Sequence, residues 1–274
     1  MYVCVHRKGG LGNQLFQYAA AKAVAETYGY LLLVEKEGKN GHNSLGYNYA
    51  TLLMKDDAQE VHAISDRTTK SFHNFQQPGG AFGPWSVQGI RINPPQPVRL
   101  EGYFQYLPPL LPVLPGIRNM LWECLSEQRK LMATRYGLFE NGDDTAIFMH
   151  VRRGDYTLSH IHYLQEPAYY EVAISHIAQR RTVSKIHIIS DDIEWCKAQR
   201  WNLHSAIVVY IDEPDELCCL AFMALCRGGA VIANSTFSWW GALVGDSRHV
   251  CYPSRWIRET VHDLFPKHWT RINS

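Results

Sequence analysis

The stretch Ala146-Ile147-Phe148-Met149-His150-Val151-Arg152-Arg153-Gly154-Asp155-Tyr156 decides the fold class of this chain. Its apolar part, 146–151, has the length and composition of a buried β-strand, and the two arginines that follow it enter a turn at Gly154. Short apolar runs of this kind alternate with helical patterns as far as Tyr252. Because such alternation is typical of a parallel sheet with right-handed crossovers, the sequence predicts an α/β fold.

The predicted elements form a regular second half and a less regular first half. The second half has predicted strands at 146–151, 185–189, 207–211, 230–233 and 249–252, and predicted helices at 167–181, 192–199, 214–226 and 237–244. In the first half, the predicted elements are a strand at Tyr2–His6, a helix from about Asn13 to a stop at Gly29, strands at 30–34 and 98–105, and a helix at 116–131. Residues 35–97 have no periodic pattern and receive no assignment.

The length of 274 residues favours two domains. The turn-forming run Asn141-Gly142-Asp143-Asp144 predicts the boundary between them. We therefore expect an N-terminal α/β domain at 1–142 and a C-terminal Rossmann-like domain at 143–274. The tail after about residue 256 is expected to pack back on the N-terminal half.

Composition and charge exclude several classes of protein. A net charge of +1 provides no broad field for nucleic acid or for a membrane surface, so any anion must be bound locally. The seven cysteines show no paired C-x-x-C spacing, and the longest apolar run, 217–233, is interrupted at Arg227. We expect a cytoplasmic protein without a transmembrane segment or a nucleic-acid partner, with at most weak peripheral association with the inner face of a membrane.

Arg152 and Arg153 leave the carboxyl end of the predicted strand 146–151. Ligands of parallel α/β sheets bind at the carboxyl ends of strands, and an arginine fork matches phosphate oxygens in pairs. A diphosphate is therefore the expected partner of this turn. The alternative is that either arginine pairs with Asp155 or Asp191 as part of the scaffold.

Two further strand ends carry polar residues. The run Ser235-Thr236-Phe237-Ser238 stands at a predicted helix start, where N–H groups and hydroxyls bind phosphate or merely cap the helix. Asp191 and Asp192 follow strand 185–189, where a carboxylate can accept from guanine or bind a divalent ion, and Asp192 can instead cap the next helix.

Other residues are candidates for catalysis or for contact with a ligand. His160, His162 and Glu166 lie after the arginines, where a general base can be housed, although most histidines in loops are only solvated. The turn Gly9-Gly10-Leu11-Gly12-Asn13-Gln14 fails as a dinucleotide motif because Leu15 occupies the third glycine position, which disfavours an oxidoreductase. Its glycines and Asn13 can approach a phosphate or a sugar instead.

Three blocks of the chain resemble the inverting α1,2-fucosyltransferases that use GDP-fucose, in their short bacterial form. These blocks are Gly9–Ala19, His150–Tyr156 and Ile232–Ala242, in the order of the family. Weaker blocks of the family are similar to Leu100–Tyr103 and to Ser190–Asp192 with Trp195. The chain departs from the family pattern at Cys226-Arg227-Gly228, which lacks the usual histidine, at Tyr163, which follows His162 in place of glycine, and at Cys219, which replaces an aspartate.

The resemblance implies a GT-B-like fold with two Rossmann-like halves, in which the C-terminal half holds the donor and the N-terminal half holds the acceptor, without a metal or other cofactor. It implies transfer of fucose with inversion from GDP-β-L-fucose to a galactoside 2-hydroxyl, in the synthesis of bacterial surface polysaccharide such as the O-antigen of lipopolysaccharide. The expected acceptor is a galactose-containing glycan or a lipid-linked oligosaccharide. The alternatives are a fucosyltransferase of α1,6 or O-fucosyl linkage and a catalytically silent GDP-sugar binding module.

The resemblance also implies roles for single residues. It places Arg152 on the diphosphate, His150 near the guanosine, Asp191 or Asp192 near guanine, and Asn13 at the reaction centre. The predicted donor-binding residues are Gly10, Gly12, Asn13, His150, Arg152, Asp191, Asp192, Asn234, Ser235, Thr236, Phe237 and Ser238. The predicted catalytic residues are Arg152, Asn13, Asp155 and His162.

Overall fold

Two parallel β-sheets organise the chain, each within its own unit. The structure is a computed structural model that describes residues 1–5, 8–35, 62–64, 72–90 and 96–273. The first unit is Met1–Cys124 with Val261–Pro266, and the second is Leu125–Thr260 with Lys267–Ser274. The α/β class predicted from the sequence is confirmed. His6 and Arg7, which belong to the predicted first strand and the glycine turn, lie outside the described residues.

The first unit contains a five-stranded sheet with the strand order β3-β2-β1-β5-β4, in which all neighbouring strands are parallel. Its strands are β1 Tyr2–Val5, β2 Leu31–Glu35, β3 His62–Ile64, β4 His73–Gln76 and β5 Val98–Glu101. Its helices are α1 Leu11–Tyr28, a 3₁₀ helix at Pro108–Leu110, and α2 Leu114–Cys124. The described strands confirm those predicted near 2–6, 30–34 and 98–105.

Helix α1 starts at Leu11, earlier than the predicted start at Asn13, because Gly10 is the extended N-cap. Its apolar positions, among them Leu15, Phe16 and Ala19, are fully buried and form much of the core of this unit. Gly29 ends the helix as predicted, with a φ of 65° in the left-handed region that glycine adopts without strain.

The second unit contains a six-stranded parallel sheet with the order β11-β10-β9-β6-β7-β8. Its strands are β6 Ile147–Val151, β7 Lys185–Ser190, β8 Ile207–Ile211, β9 Gly229–Val231, β10 Val250–Pro253 and β11 Thr270–Ile272. Its helices are α3 Ser126–Tyr136, α4 Pro167–Ala178, α5 Ile193–Ala198, α6 Glu216–Leu225 and α7 Thr236–Gly245, with a 3₁₀ helix at Gly154–Leu158. The predicted alternation of strands and helices is confirmed, and the central strand β6 is buried along its whole length.

The structure corrects two expectations. The single helix predicted at 116–131 is wrong, because Leu125 leaves the helical conformation (φ −90°, ψ 11°) and separates α2 from α3. The units divide at this point rather than after Gly142, since α3 packs on α6 and so belongs to the second unit. Strand β11 is too short and too polar to have been predicted, and the segment Val261–Pro266 belongs to the first unit.

Candidate functional site

The order of the strands reverses beside β6 in the second unit. From β6 the chain adds β7 and β8 on one side and then crosses to place β9 on the other side of β6. Ligands of open parallel sheets bind at such switch points, outside the carboxyl ends of the strands. Met149 pairs with Val231, so the arginine turn after β6 and the segment after β9 leave the sheet at the same edge. This edge is the candidate site.

Arg152 lies between two carboxylates at this edge. Its Nη2 is 2.6 Å from Oδ1 of Asp155, and its Nη1 is 3.0 Å from Oδ2 of Asp191. The guanidinium carbon lies 5.2 Å from the centre of the Tyr156 ring. About a third of the Arg152 side chain, 32%, stays exposed, so an anion can reach its guanidinium. The two carboxylates already fix the orientation of this group.

Arg153 is held differently, as part of the scaffold. Its Nε donates to Oδ2 of Asp192 at 3.1 Å, and its guanidinium carbon lies 3.9 Å from the centre of the Trp195 ring. Asp192 also accepts the backbone N–H of Trp195 and thereby caps α5. Arg153 therefore has a scaffold role, although its partner is Asp192, whereas the pairing with Asp155 and Asp191 that the sequence offered as the scaffold alternative is made by Arg152.

Asp191 fixes the arginine turn from β7. One carboxylate oxygen accepts the backbone N–H of Arg153 at 2.8 Å, and the other contacts Arg152. A Cβ atom at Gly154 would collide with this carboxylate, which explains why glycine occupies the turn. The predicted guanine contacts of Asp191 and Asp192 stay predictions, because both carboxylates are engaged by arginines here.

The segment after β9 ends in the N-terminus of α7. Ser235 is the N-cap, and its hydroxyl accepts the backbone N–H of Phe237 at 3.3 Å. The hydroxyl of Ser238 donates to the carbonyl of Ser235, while Thr236 and Phe237 are partly exposed. Because the first N–H groups and the dipole of a helix favour anions, this helix start adds positive potential to the edge that carries Arg152.

His150 is buried beneath this edge. The side chain is 4% exposed, and its Nδ1 has no hydrogen-bond partner among the described residues. The centres of the His150 and Phe237 rings lie 6.1 Å apart. Burial, together with the charge of Arg152, lowers the pKa of His150 to about 3, so the imidazole is neutral at pH 7.

Asn234 joins three loops rather than facing open space. It is 1% exposed, and its Nδ2 donates to the carbonyls of Tyr163 at 2.9 Å and Trp256 at 2.8 Å. The backbone carbonyl of Asn234 accepts the hydroxyl of Tyr156 at 3.1 Å. In this structure Asn234 therefore holds the loops around the arginine turn, and its predicted donor contact stays a prediction.

His162 lies on Tyr156, with 4.0 Å between the ring centres and 17° between the planes. Its Nδ1 is 2.9 Å from Oγ of Ser159, and this oxygen accepts the backbone N–H groups of Ile161 and His162. The only proton left for the Nδ1 contact is the hydroxyl proton of Ser159, so the neutral ring carries its own proton on Nε2. Burial lowers the pKa of His162.

The glycine turn and Asn13 belong to the first unit. Oδ1 of Asn13 accepts from Nε2 of Gln105 at 2.9 Å, and Nε2 of Gln14 donates to the carbonyl of Gly9 at 2.9 Å. Gly9 has a φ of 73°, and a Cβ atom there would collide with the Asn13 amide. Gly10 caps α1 and Gly12 is buried in its first turn. The catalytic role of Asn13 and the ligand contacts of the glycines stay predictions.

Three further candidates for the general base, and two aromatic residues that the sequence did not single out, lie near the arginine turn. His160 and Glu166 are exposed, and Asp155 is engaged with Arg152. Sequence reasoning gave no separate role to the aromatic rings of Tyr156 and Trp195, which lie beside the two arginines. The signal available for them was an aromatic residue close to each charged turn.

The described part of the chain lacks two features that other glycan-handling or membrane-bound enzymes can have, a metal-binding cluster and a membrane-spanning helix. In the described ranges, no three His, Cys, Asp or Glu side chains are grouped so that they would hold a metal ion. The same part of the chain has no helix with the length and hydropathy needed to cross a membrane.

The known proteins that resemble this chain in sequence are glycosyltransferases. The profile of glycosyl transferase family 11 matches residues 117–273. An α1,2-colitosyltransferase of Escherichia coli is 28% identical, with 96% of each chain covered. The O-antigen biosynthesis glycosyltransferase WbnK of Escherichia coli is 26% identical, with 94% of this chain and 95% of WbnK covered.

A solved structure shows the same fold. The fucosyltransferase NodZ from Bradyrhizobium matches with a TM-score of 0.56 at 15% identity, covering 91% of this chain and 94% of NodZ. This likeness confirms the predicted GT-B-like class with two Rossmann-like α/β units. Since the family profile covers more than half of the sequence, this chain belongs to glycosyl transferase family 11 and is a glycosyltransferase.

Proposed function

We propose that this glycosyltransferase transfers fucose from GDP-β-L-fucose to the 2-hydroxyl of a galactoside with inversion, in the synthesis of a bacterial O-antigen or related surface polysaccharide. The observation that carries the proposal is the partly exposed Arg152 at the switch point, on the same sheet edge as the N-terminus of α7. The names of the relatives support α1,2 linkage and O-antigen synthesis, and NodZ was crystallised with GDP.

In the proposed reaction the acceptor oxygen attacks the anomeric carbon of fucose as the bond from that carbon to the diphosphate oxygen breaks. The attack from the opposite face converts the β-linked donor into an α-linked product. Negative charge grows on the departing diphosphate, where the guanidinium of Arg152 and the N–H groups at the start of α7 stabilise it. The neutral His150 is suited to a hydrogen bond with the nucleoside rather than to charge neutralisation.

The acceptor must lose its proton to a base late in the reaction. His162 carries its proton on Nε2 in this arrangement, so it is better suited to donate a hydrogen bond than to accept that proton. Asp155 is tied to Arg152 by an ion pair of 2.6 Å, so to act as the base it would have to give up this contact. Both residues remain candidates, together with Glu166.

The proposal also holds that no metal ion is required, because Arg152 and the α7 terminus supply the positive charge. Transfer should therefore survive EDTA. A colitosyl donor is the second candidate, favoured by the α1,2-colitosyltransferase relative that covers 96% of this chain. Assays with both donors and linkage analysis of the product separate these alternatives from α1,6 or O-fucosyl transfer. A silent binding module would bind GDP-fucose without transfer or hydrolysis.

The decisive variant is Arg152→Lys, which keeps the charge but loses the fork. We expect kcat for transfer to fall by on the order of 10²–10³, measured as GDP release with a galactoside acceptor. The matched control is Arg180→Lys, at an exposed arginine whose Nη1 donates to the His176 carbonyl at 2.9 Å, and it should leave kcat unchanged. Near-normal turnover in Arg152→Lys would contradict the proposal.

A further inference from the structure

Tyr156 contacts three parts of the candidate site at once. The guanidinium carbon of Arg152 lies 5.2 Å from the centre of its ring, and the ring of His162 stacks on it with 4.0 Å between the centres. The Tyr156 hydroxyl donates to the backbone carbonyl of Asn234 at 3.1 Å. This side chain therefore joins the arginine turn, the loop that follows it and the segment before α7, although the proposed reaction gives it no part.

The hydroxyl bond connects two segments that are far apart in the chain. Tyr156 belongs to the 3₁₀ helix that begins at Gly154, directly after the arginines, whereas Asn234 immediately precedes Ser235, the N-cap of α7. The side-chain amide of Asn234 donates to carbonyls in two loops outside this 3₁₀ helix. The Tyr156 bond is therefore a separate tie, and it fixes how far the arginine turn stands from the start of α7.

The ring and the hydroxyl of Tyr156 have different partners. Arg152 and His162 contact the ring, whereas the carbonyl of Asn234 contacts the hydroxyl. Burial raises the pKa of Tyr156 to about 12, so the hydroxyl keeps its proton and remains a donor at pH 7. The attraction of a guanidinium to an aromatic ring does not need a hydroxyl. Phenylalanine at this position would therefore preserve the ring contacts and lose the bond to the segment before α7.

Two sources of positive charge need a fixed separation if they are to act on one anion. A diphosphate carries charge on both phosphoryl groups, so it can contact a guanidinium and the N–H groups of a helix start together. Donors stabilise a charge that grows during a reaction only when they are already in place, and a displacement of about 1 Å can cost on the order of a hundredfold in rate. A tie between the arginine turn and α7 therefore matters more for a diphosphate than for a nucleoside.

We propose that Tyr156 is a positioning residue whose hydroxyl holds the arginine turn against the segment before α7, so that Arg152 and the first N–H groups of α7 bind the same diphosphate. This role rests on the proposed function, which places a diphosphate at this edge of the sheet. Tyr156 does not touch the reacting atoms and acts through Arg152 and α7.

The test is Tyr156→Phe, with GDP and guanosine as the probes. We expect the Kd for GDP to rise about tenfold, the equivalent of one lost hydrogen bond, while the Kd for guanosine, which has no phosphate, changes less than about twofold. Calorimetric titration measures both constants. A purely structural loss would weaken the binding of both ligands alike, and that result would overturn the proposal.

The matched control is Tyr169→Phe. Tyr169 is 2% exposed, and its hydroxyl donates to the carbonyl of Ile232 at 2.6 Å, two residues before Asn234. The variant removes a buried bond to the same segment that does not involve the arginine turn. It should lower the urea midpoint and leave the Kd for GDP within about twofold. A loss of GDP affinity equal to that of Tyr156→Phe would also overturn the proposal.

A double variant tests whether Tyr156 acts through Arg152. Tyr156→Phe combined with Arg152→Lys should bind GDP less than about threefold more weakly than Arg152→Lys alone, because the fork that the hydroxyl positions is already lost. Fully additive losses, or an unchanged Kd for GDP in Tyr156→Phe, would contradict the proposed role. If the expected coupling is found in a wild-type protein that transfers no fucose from GDP-fucose, the proposed reaction is refuted and the role of Tyr156 stands.

Discussion

At the scale of single residues, the two adjacent arginines Arg152 and Arg153 have different roles because their surroundings differ. Both terminal nitrogens of Arg152 contact carboxylates on the sheet edge, yet the side chain stays 32% exposed, whereas Arg153 is 18% exposed and its guanidinium carbon lies 3.9 Å from the centre of the Trp195 ring. The residue pattern alone treats the pair as equivalent, and only the family resemblance singles out Arg152, because the fold decides which side chain reaches the edge. We therefore expect their substitutions to separate ligand binding from stability.

Arg153→Lys should destabilise the protein and affect GDP binding little. Lysine cannot reproduce the contact of a guanidinium with the Trp195 ring or the directed Nε bond to Asp192, which together are worth about 1–2 kcal/mol once the 37% exposure of Asp192 is allowed for. Urea unfolding measures this loss, and calorimetric titration measures the Kd for GDP. Arg152→Lys should show the opposite pattern. A larger loss of GDP affinity in Arg153→Lys than in Arg152→Lys would refute the assignment.

At the scale of elements, the sequence was most informative where helices and strands alternate. Strand β8 has its predicted bounds, and α6 and α7 differ from prediction by one or two residues at each end, because apolar runs and capping residues such as Asp215 and Ser235 define them. The break at Leu125 was not predictable, since leucine favours helix and the break follows from the packing of α2 and α3 in different units.

The candidate site likewise has a part that the sequence predicts and a part that only the structure shows. Strand ends in an alternating α/β pattern point to one edge, so the sequence could bring together Arg152, Asp191 and Ser235. It could not show that Asn234 ties three loops or that Arg153 rests on Trp195, because these contacts join residues far apart in the chain. Strands β3 and β4 were equally hidden, since residues 35–97 have no periodic pattern.

The N-terminus of α7 offers a test of its role as an anion site. Ser235→Asp and Ser235→Asn both retain an oxygen that caps the helix, so both variants should unfold at similar urea concentrations. The aspartate adds a negative charge where the diphosphate is proposed to lie, and it should weaken GDP binding about tenfold or more relative to the asparagine variant. Equal Kd values in the two variants, measured by calorimetry, would place the diphosphate elsewhere.

At the scale of the whole molecule, each unit offers the carboxyl edge of a parallel sheet with its own chemistry. The edge of the second unit carries arginines and a helix start, which suit an anionic nucleotide. The edge of the first unit carries the glycine turn and the paired amides of Asn13 and Gln105. A net charge of only +1 provides no broad field, so an anion must be bound locally, as the edge of the second unit allows.

The buried histidines make the stability of the whole protein sensitive to acid, and His150 should contribute most. Its pKa is about 3 in the folded protein and about 6.5 when unfolded, so between these values the unfolded chain binds the additional proton. The stabilising contribution is complete above about pH 6.5 and is lost as pH falls, by about 2 kcal/mol at pH 5. Urea unfolding at pH 7 and pH 5 should show this loss in the wild type and a smaller one in His150→Gln. His160→Gln, at an exposed position, should keep the wild-type difference, and a His150→Gln variant as acid-sensitive as the wild type would show that His150 does not stay neutral.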